Sequence, residues 1–249
     1  MPKNNNSIYD NMCNISNVIA VYNNIRNHVN NKKIIYRFDM YKSVNLYRIL
    51  DDLIKRKYVF GKYNIFLIKE PKYRIILSEN INDKIVNHLV SRYILLPLLE
   101  PKLIDSNVAT RKNKGSGHGF KLLKNYLRQA KMMYDNFYIL KIDIRKYFYN
   151  INHNILKEKL AKDIIDKDAL KIAYDIIDTT NEKYVNDQIR NIKNNTIKKL
   201  NKLNLKESDR EKRIKEIENI PFYIKDKGLG IGNMSNQVFA VYYLNDVDH

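Results

Sequence analysis

Apolar residues recur at helical spacing through most of this chain and at strand spacing in three short stretches. From Asn14 to Asn30 they fall at Ile15, Val18, Ile19, Tyr22, Ile25 and Val29, which predicts an amphipathic helix. Ser43 to Tyr58 repeats the pattern with Leu46, Ile49, Leu50 and Leu53, and Gly61 closes that unit. Tyr63 to Lys69 and Tyr73 to Ser78 read as two strands around the turn Glu70-Pro71-Lys72, a β-hairpin. Ile81 to Leu99 returns to helix, closed by Pro97 and Pro101, and Phe120 to Tyr134 is a further amphipathic helix. Phe137 to Asp143 alternates, with Tyr138, Leu140 and Ile142 on one face and Ile139, Lys141 and Asp143 on the other, so a third strand is predicted there. Helical patterns fill His153 to Asp178. The stretch from Asn181 to Asn219 is dense in Lys, Asn and Glu, with a weak stripe at Ile192, Ile197, Leu200 and Leu203; it reads as an exposed helical insertion with a mostly solvated face. Asn233 to Val247 forms the last predicted helix, with Met234, Val238, Val241 and Leu244 on one side. No internal repeat interrupts this order, and the mixture predicts an α+β fold.

Length and composition narrow the picture. The 249 residues suffice for one large domain or two small ones, and 44% hydrophobic residues with 19 tyrosines mark a globular chain. Apolar runs such as Tyr93 to Leu99 are too short to span a bilayer, and the polar, Asn-rich start from Met1 to Asp10 has no signal-peptide pattern. A single cysteine, Cys13, cannot form an internal disulfide, and the five histidines lack zinc-ligand spacing. A cytoplasmic protein without a membrane partner is the expectation. The formal net charge of +18 points to a polyanionic partner, nucleic acid above all. The accompanying excess of Lys, Asn, Ile and Tyr is also what an AT-rich genome produces, and composition alone leaves both readings open.

Two constellations could carry chemistry. Six of the seven glycines fall in two triplets, Gly115/Gly117/Gly119 and Gly228/Gly230/Gly232. Glycine is required where φ is positive or where backbone must approach a neighbour closely. Neither triplet matches a dinucleotide fingerprint or a P-loop, so both tight turns and phosphate contacts stay open. In Lys141-Ile142-Asp143-Ile144-Arg145-Lys146-Tyr147-Phe148, a carboxylate ends a largely apolar stretch, where it could hold a divalent cation or simply cap a turn.

In order along the chain, these pieces resemble the reverse transcriptase family of bacterial retroelements: retrons, group II introns and diversity-generating elements. Ile68-Lys69-Glu70-Pro71-Lys72-Tyr73-Arg74-Ile75-Ile76 with Asn82-Asp83-Lys84 looks like the fingers hairpin and the helix after it. Leu140-Lys141-Ile142-Asp143-Ile144-Arg145-Lys146-Tyr147-Phe148 through His153 looks like the first palm motif, and Lys227-Gly228-Leu229-Gly230-Ile231-Gly232-Asn233-Met234-Ser235-Asn236-Gln237 like the second. The resemblance implies a right-hand polymerase: an N-terminal helical region over 1–60, fingers over 61–136, and a partial palm with an antiparallel sheet over 137–249, interrupted by the insertion at about 181–219. It implies that Asp143 and the carbonyl of Ile144 face Mg²⁺, two ions in a complete enzyme. Lys69 and Arg74 would meet the triphosphate of a dNTP, and Phe148 would exclude a ribose 2′-hydroxyl. Gly230, Ile231, Gly232 and Asn233 would press backbone against nucleotide and template, with Gln237 behind them. Implied partners are an RNA template, a DNA or RNA primer and dNTPs.

Two departures accompany this resemblance. Leu229-Gly230 stands where relatives carry Leu-Pro, and the sequence stops at His249, before the family's Tyr-x-Asp-Asp turn and thumb. The expectation is a front portion that does not polymerise by itself. A non-catalytic RNA-binding protein of this ancestry and a phage-defence relative are the alternatives.

Overall fold

The computed structural model describes residues 7–29 and 31–248. Met1 to Asn6, Asn30 at the end of the first expected helix, and His249 lie outside them. The chain is α+β and mostly helical, with one two-stranded antiparallel sheet among the described residues.

The N-terminal part is helical throughout. α1 (Ile8–Met12), α2 (Ile15–His28), α3 (Lys32–Asp39) and α4 (Lys42–Ile54) follow one another closely; α1 and α3 escaped the periodicity reading because each is too short to show a stripe. Polar caps set the starts: the Asn14 side chain accepts from the Ser16 amide at the head of α2, and Ser7 from Asp10 at the head of α1. β1 (Asn64–Lys69) and β2 (Tyr73–Ser78) pair in register from Asn64↔Ser78 to Lys69↔Tyr73. α5 (Ile81–Val90), capped by Asn80, runs on through a π-turn at Ser91–Leu95 and a last turn at Leu96–Leu99. α6 (Ser116–Met133) starts inside the first glycine triplet rather than after it. α7 (His153–Asp163) and α8 (Lys167–Asp178) are capped by Asn152 and Asp166. The insertion is a pair, α9 (Lys183–Asn201) and α10 (Glu207–Glu218), and α11 (Met234–Tyr243) follows the second glycine triplet.

Apolar side chains collect in two cores. The larger one joins α2, α4, α5, α7, α8 and α11 through fully buried residues such as Leu53, Leu89, Ile94, Leu160 and Phe239. Truncating any of these to Ala costs about 2–5 kcal/mol through lost transfer energy and the cavity left behind. The smaller core backs the hairpin: Ile65, Ile75 and Leu77 pack with Val185 and Ile189 of α9 and with Ile220 and Tyr223 beyond α10. The insertion is therefore only partly a solvated face, because one side of α9 is the support on which the sheet rests.

Phe137 to Asp143 corrects the sequence reading. No strand forms there, and Tyr138, Leu140 and Ile142 are exposed by 100%, 83% and 76%. The period-2 pattern is present, but among the described residues no neighbouring strand offers it ladder bonds, and a lone extended segment gains nothing from alternation. The antiparallel palm sheet expected at this place is thus absent from the described residues. No helix among them is long and apolar enough to cross a membrane.

Candidate functional site

A cleft of about 730 Å³ opens where the hairpin turn, the 143–149 segment, the end of the insertion and the second glycine triplet meet. Lys72 of the hairpin turn and Tyr73 and Arg74 of β2 line it, with Asp143 and Arg145 to Tyr149, Glu216, Asn219 to Pro221, and Ile231 of the glycine loop. Four cationic side chains (Lys72, Arg74, Arg145, Lys146) therefore share it with two carboxylates, Asp143 and Glu216. That balance favours an anionic ligand.

Local structure explains the juxtaposition. Lys146 adopts a left-handed conformation, with φ of 54°, which turns the chain into the helical turn Tyr147–Asn150. Backbone bonds then staple this turn to the glycine loop: the Leu229 amide donates to Phe148 O and the Gly228 amide to Ile151 O, both at 2.8 Å. The loop in turn lies on the hairpin, where the Leu77 amide donates to Ile231 O at 2.9 Å. Three stretches far apart in sequence are thereby fixed around one space.

Arg74, Asp143, Phe148 and Ile231 all reach this cleft. Asp143 is exposed, and Phe148 is half-buried, its ring edge-on to Tyr147 with one side against the larger core. The other predicted residues stand elsewhere. Lys69 lies at the exposed end of β1 with its ammonium 5.4 Å over the Tyr73 ring, outside the cleft lining. Ile144 is 45% exposed and does not line the cleft either, and Gln237 is exposed. Asn233 is buried and donates to the Tyr63 hydroxyl at 3.0 Å.

The second glycine triplet serves the protein's own packing. A Cβ at Gly228, whose φ is +96°, would stand 2.9 Å from Tyr223 Cδ1 and 3.2 Å from Tyr149 O. At Gly230 it would meet Leu77 at 3.1 Å, and at Gly232 both Ile76 and the Leu77 carbonyl at 3.2 Å. Gly230 and Gly232 press the loop onto the hairpin, and Gly228 presses it onto Tyr223 and the Tyr149 backbone. The first triplet has no such duty at Gly115 and Gly117, where an added Cβ meets nothing within 4 Å.

Sequence reasoning gave no role to several lining residues. Lys72, Arg145 and Lys146 sat inside the quoted motifs, so their charge beside Asp143 was the available signal. Glu216, Asn219 and Pro221 had none, because a Lys/Asn/Glu-rich helix reads as solvated. Away from the cleft lies a buried polar group: Asp83 accepts from Tyr58 at 2.7 Å and from the Gly61 amide at 2.9 Å, while burial raises its pKa. Burial together with the Asp83 charge also pushes the Glu79 carboxyl up to about 8.

Metal-binding capacity differs between two places. In the cleft, one carboxylate, Asp143, faces cationic walls; hard oxygen donors of this kind suit Mg²⁺ when phosphate oxygens complete the shell. A pair of ions needs more carboxylates than Asp143 and Glu216 supply. Elsewhere, His153, Asp178 and Asp226 bring three ligating atoms within 4.8 Å of one another. That group is already satisfied internally. Buried His153 donates through Nε2 to Gly228 O at 2.8 Å, Lys157 meets Asp178 at 2.6 Å, and Asn181 donates to both carboxylates. It acts as a clasp holding the glycine loop to α7 and α8.

A scan of the chain against protein-family models finds no match. A search of curated proteins finds none either.

Proposed function

We propose that this cleft binds a nucleoside triphosphate and adjoining nucleic acid, as the fingers and palm portion of an RNA-directed DNA polymerase of bacterial retroelement type. One observation carries the reading. Arg74, Asp143, Phe148 and Ile231, four positions that the family resemblance assigns to a single nucleotide, come from three distant stretches and line one cleft. In this reading Lys72 and Arg74 neutralise phosphates, and Asp143 holds Mg²⁺ jointly with them. The half-buried Phe148 ring lies against the sugar. Phosphoryl transfer depends on such positioning and charge neutralisation, which bound Mg²⁺ completes. With two cleft carboxylates, the chain binds nucleotide and does not extend a primer.

The test is titration of the protein with a fluorescent dATP analogue in Mg²⁺. Arg74→Ala and Asp143→Asn are each expected to weaken binding about tenfold or more, and Phe148→Ala to narrow the preference for dATP over ATP. Wild-type affinity in all three folded variants would refute the reading.

A second reading, RNA binding without catalysis, has its own support. α6 buries no residue and presents Phe120, Tyr126 and Met133 beside Lys121, Lys124, Arg128 and Lys131. Exposed aromatics interleaved with cations suit stacking on unpaired bases. Crosslinking of RNA to α6 in a protein that binds no nucleotide would favour it.

A further inference from the structure

Lys193 is a charged residue placed among buried ones. It sits midway along α9, only 8% exposed, and burial lowers its pKa. A buried ammonium is tolerated only where it is hydrogen-bonded. Its Nζ donates to Glu218 O and Ile220 O, each at 2.9 Å, and rests 4.7 Å over the Phe222 ring. Glu218 is the last residue of α10, whose C-terminal end carries partial negative charge and attracts cations. The carbonyl between them, Asn219 O, is taken by Lys146 Nζ at 2.8 Å. Two lysines from different elements thus hold three successive carbonyls of one turn. The Asn186 side chain fixes the next stretch, accepting from the Tyr223 amide at 2.9 Å and donating to its carbonyl at 2.8 Å.

This turn is one wall of the cleft. Asn219, Ile220 and Pro221 face the space that Arg74, Phe148 and Ile231 line from other sides. The cations lie toward the hairpin turn and the 145–146 pair, whereas Ile220, Pro221, Phe148 and Ile231 form an apolar stretch. A phosphate chain suits the first and a sugar and base the second.

We infer that Lys193 is a positioning residue: by clamping the Asn219–Pro221 turn from behind, it sets the wall against which the nucleoside part of the ligand lies. This inference rests on the nucleotide reading above. It gives the insertion, which looks like a solvated appendage in the sequence, a part in ligand selection without contact between Lys193 and ligand.

The experiment compares two probes, Mg²⁺–dATP and inorganic tripolyphosphate, on the whole chain. Lys193→Met keeps the length of the side chain and removes its charge and donors. It is expected to weaken dATP about tenfold while changing tripolyphosphate affinity less than twofold, since the cleft cations are untouched. Lys193→Arg is expected to recover dATP binding to within about threefold. Circular dichroism and a thermal melt establish folding. Should Lys193→Met not fold, Pro221→Gly loosens the same wall with the clamp intact, and the same selective loss is expected. Unchanged dATP affinity in the folded variant, or equal loss of both probes, overturns the positioning role. Wild-type protein that binds neither probe overturns the nucleotide reading, and this inference with it.

Discussion

Glu79 shows how burial governs a single residue. It follows β2, one carboxyl oxygen has no partner among the described residues, and its pKa stands at about 8 against an ordinary 4.5. A folded state that raises this pKa binds more protons than the unfolded chain between those values. Stability from this group is therefore complete below about pH 4.5 and is lost as pH rises through 8. Glu79→Gln, which mimics the neutral form, is expected to be more stable than wild type at pH 9 by on the order of 5 kcal/mol and nearly equal to it at pH 4. Urea titrations of both proteins across that range check this; parallel curves would show the carboxyl to be solvated. Nothing in the sequence marks Glu79, since its neighbourhood is made by Asp83 and Asn87 on the next helix. That Arg74, Asp143 and Phe148 share one cleft was legible, because each is fixed by spacing within a short motif. Lys193 was not, because a lysine within an amphipathic pattern reads as surface.

Among elements, the two glycine triplets separate cleanly. Positive φ occurs only in the second, at Gly228 and Gly232, whereas in the first only Gly119 is crowded, by Val108 at 3.1 Å. Gly228→Ala combines positive φ with a 2.9 Å clash against Tyr223, so a loss of about 2–4 kcal/mol is expected. Gly117→Ala lies in the exposed first turn of α6 with open space around it and is expected to be neutral or to stabilise by up to about 1 kcal/mol. Thermal melts of the pair decide it: equal melting temperatures would contradict the packing described for the loop. Helices with a full stripe, α2, α4 and α5, appeared where periodicity put them. The Phe137–Asp143 stretch failed because alternation reports a residue's suitability for a sheet, and a strand also needs a neighbour to bond with.

For the whole molecule, the net charge is +18, and the cleft and the α6 surface each carry four cationic side chains. If it serves nucleic acid, affinity for single-stranded RNA should fall linearly with salt on logarithmic axes, with a slope of about −3 to −6 for four to eight neutralised phosphates. Filter binding against heparin as competitor reads this. A shallow slope with no preference over heparin would assign the lysines to genome composition.

The second core also has a consequence in time. Tyr63 donates its amide to the Tyr184 hydroxyl at 2.9 Å across a separation of 121 residues, and the hairpin's apolar face meets only partners of that kind. A two-stranded hairpin by itself is marginally stable in water. During synthesis at roughly 5–20 residues per second, it leaves the ribosome on the order of ten seconds before α9 exists to cover it. For that interval Ile65, Leu67, Ile75 and Leu77 form an uncovered apolar strip on a growing chain. The nascent protein is therefore most prone to aggregate, and most in need of a chaperone, while the middle of its sequence is being made.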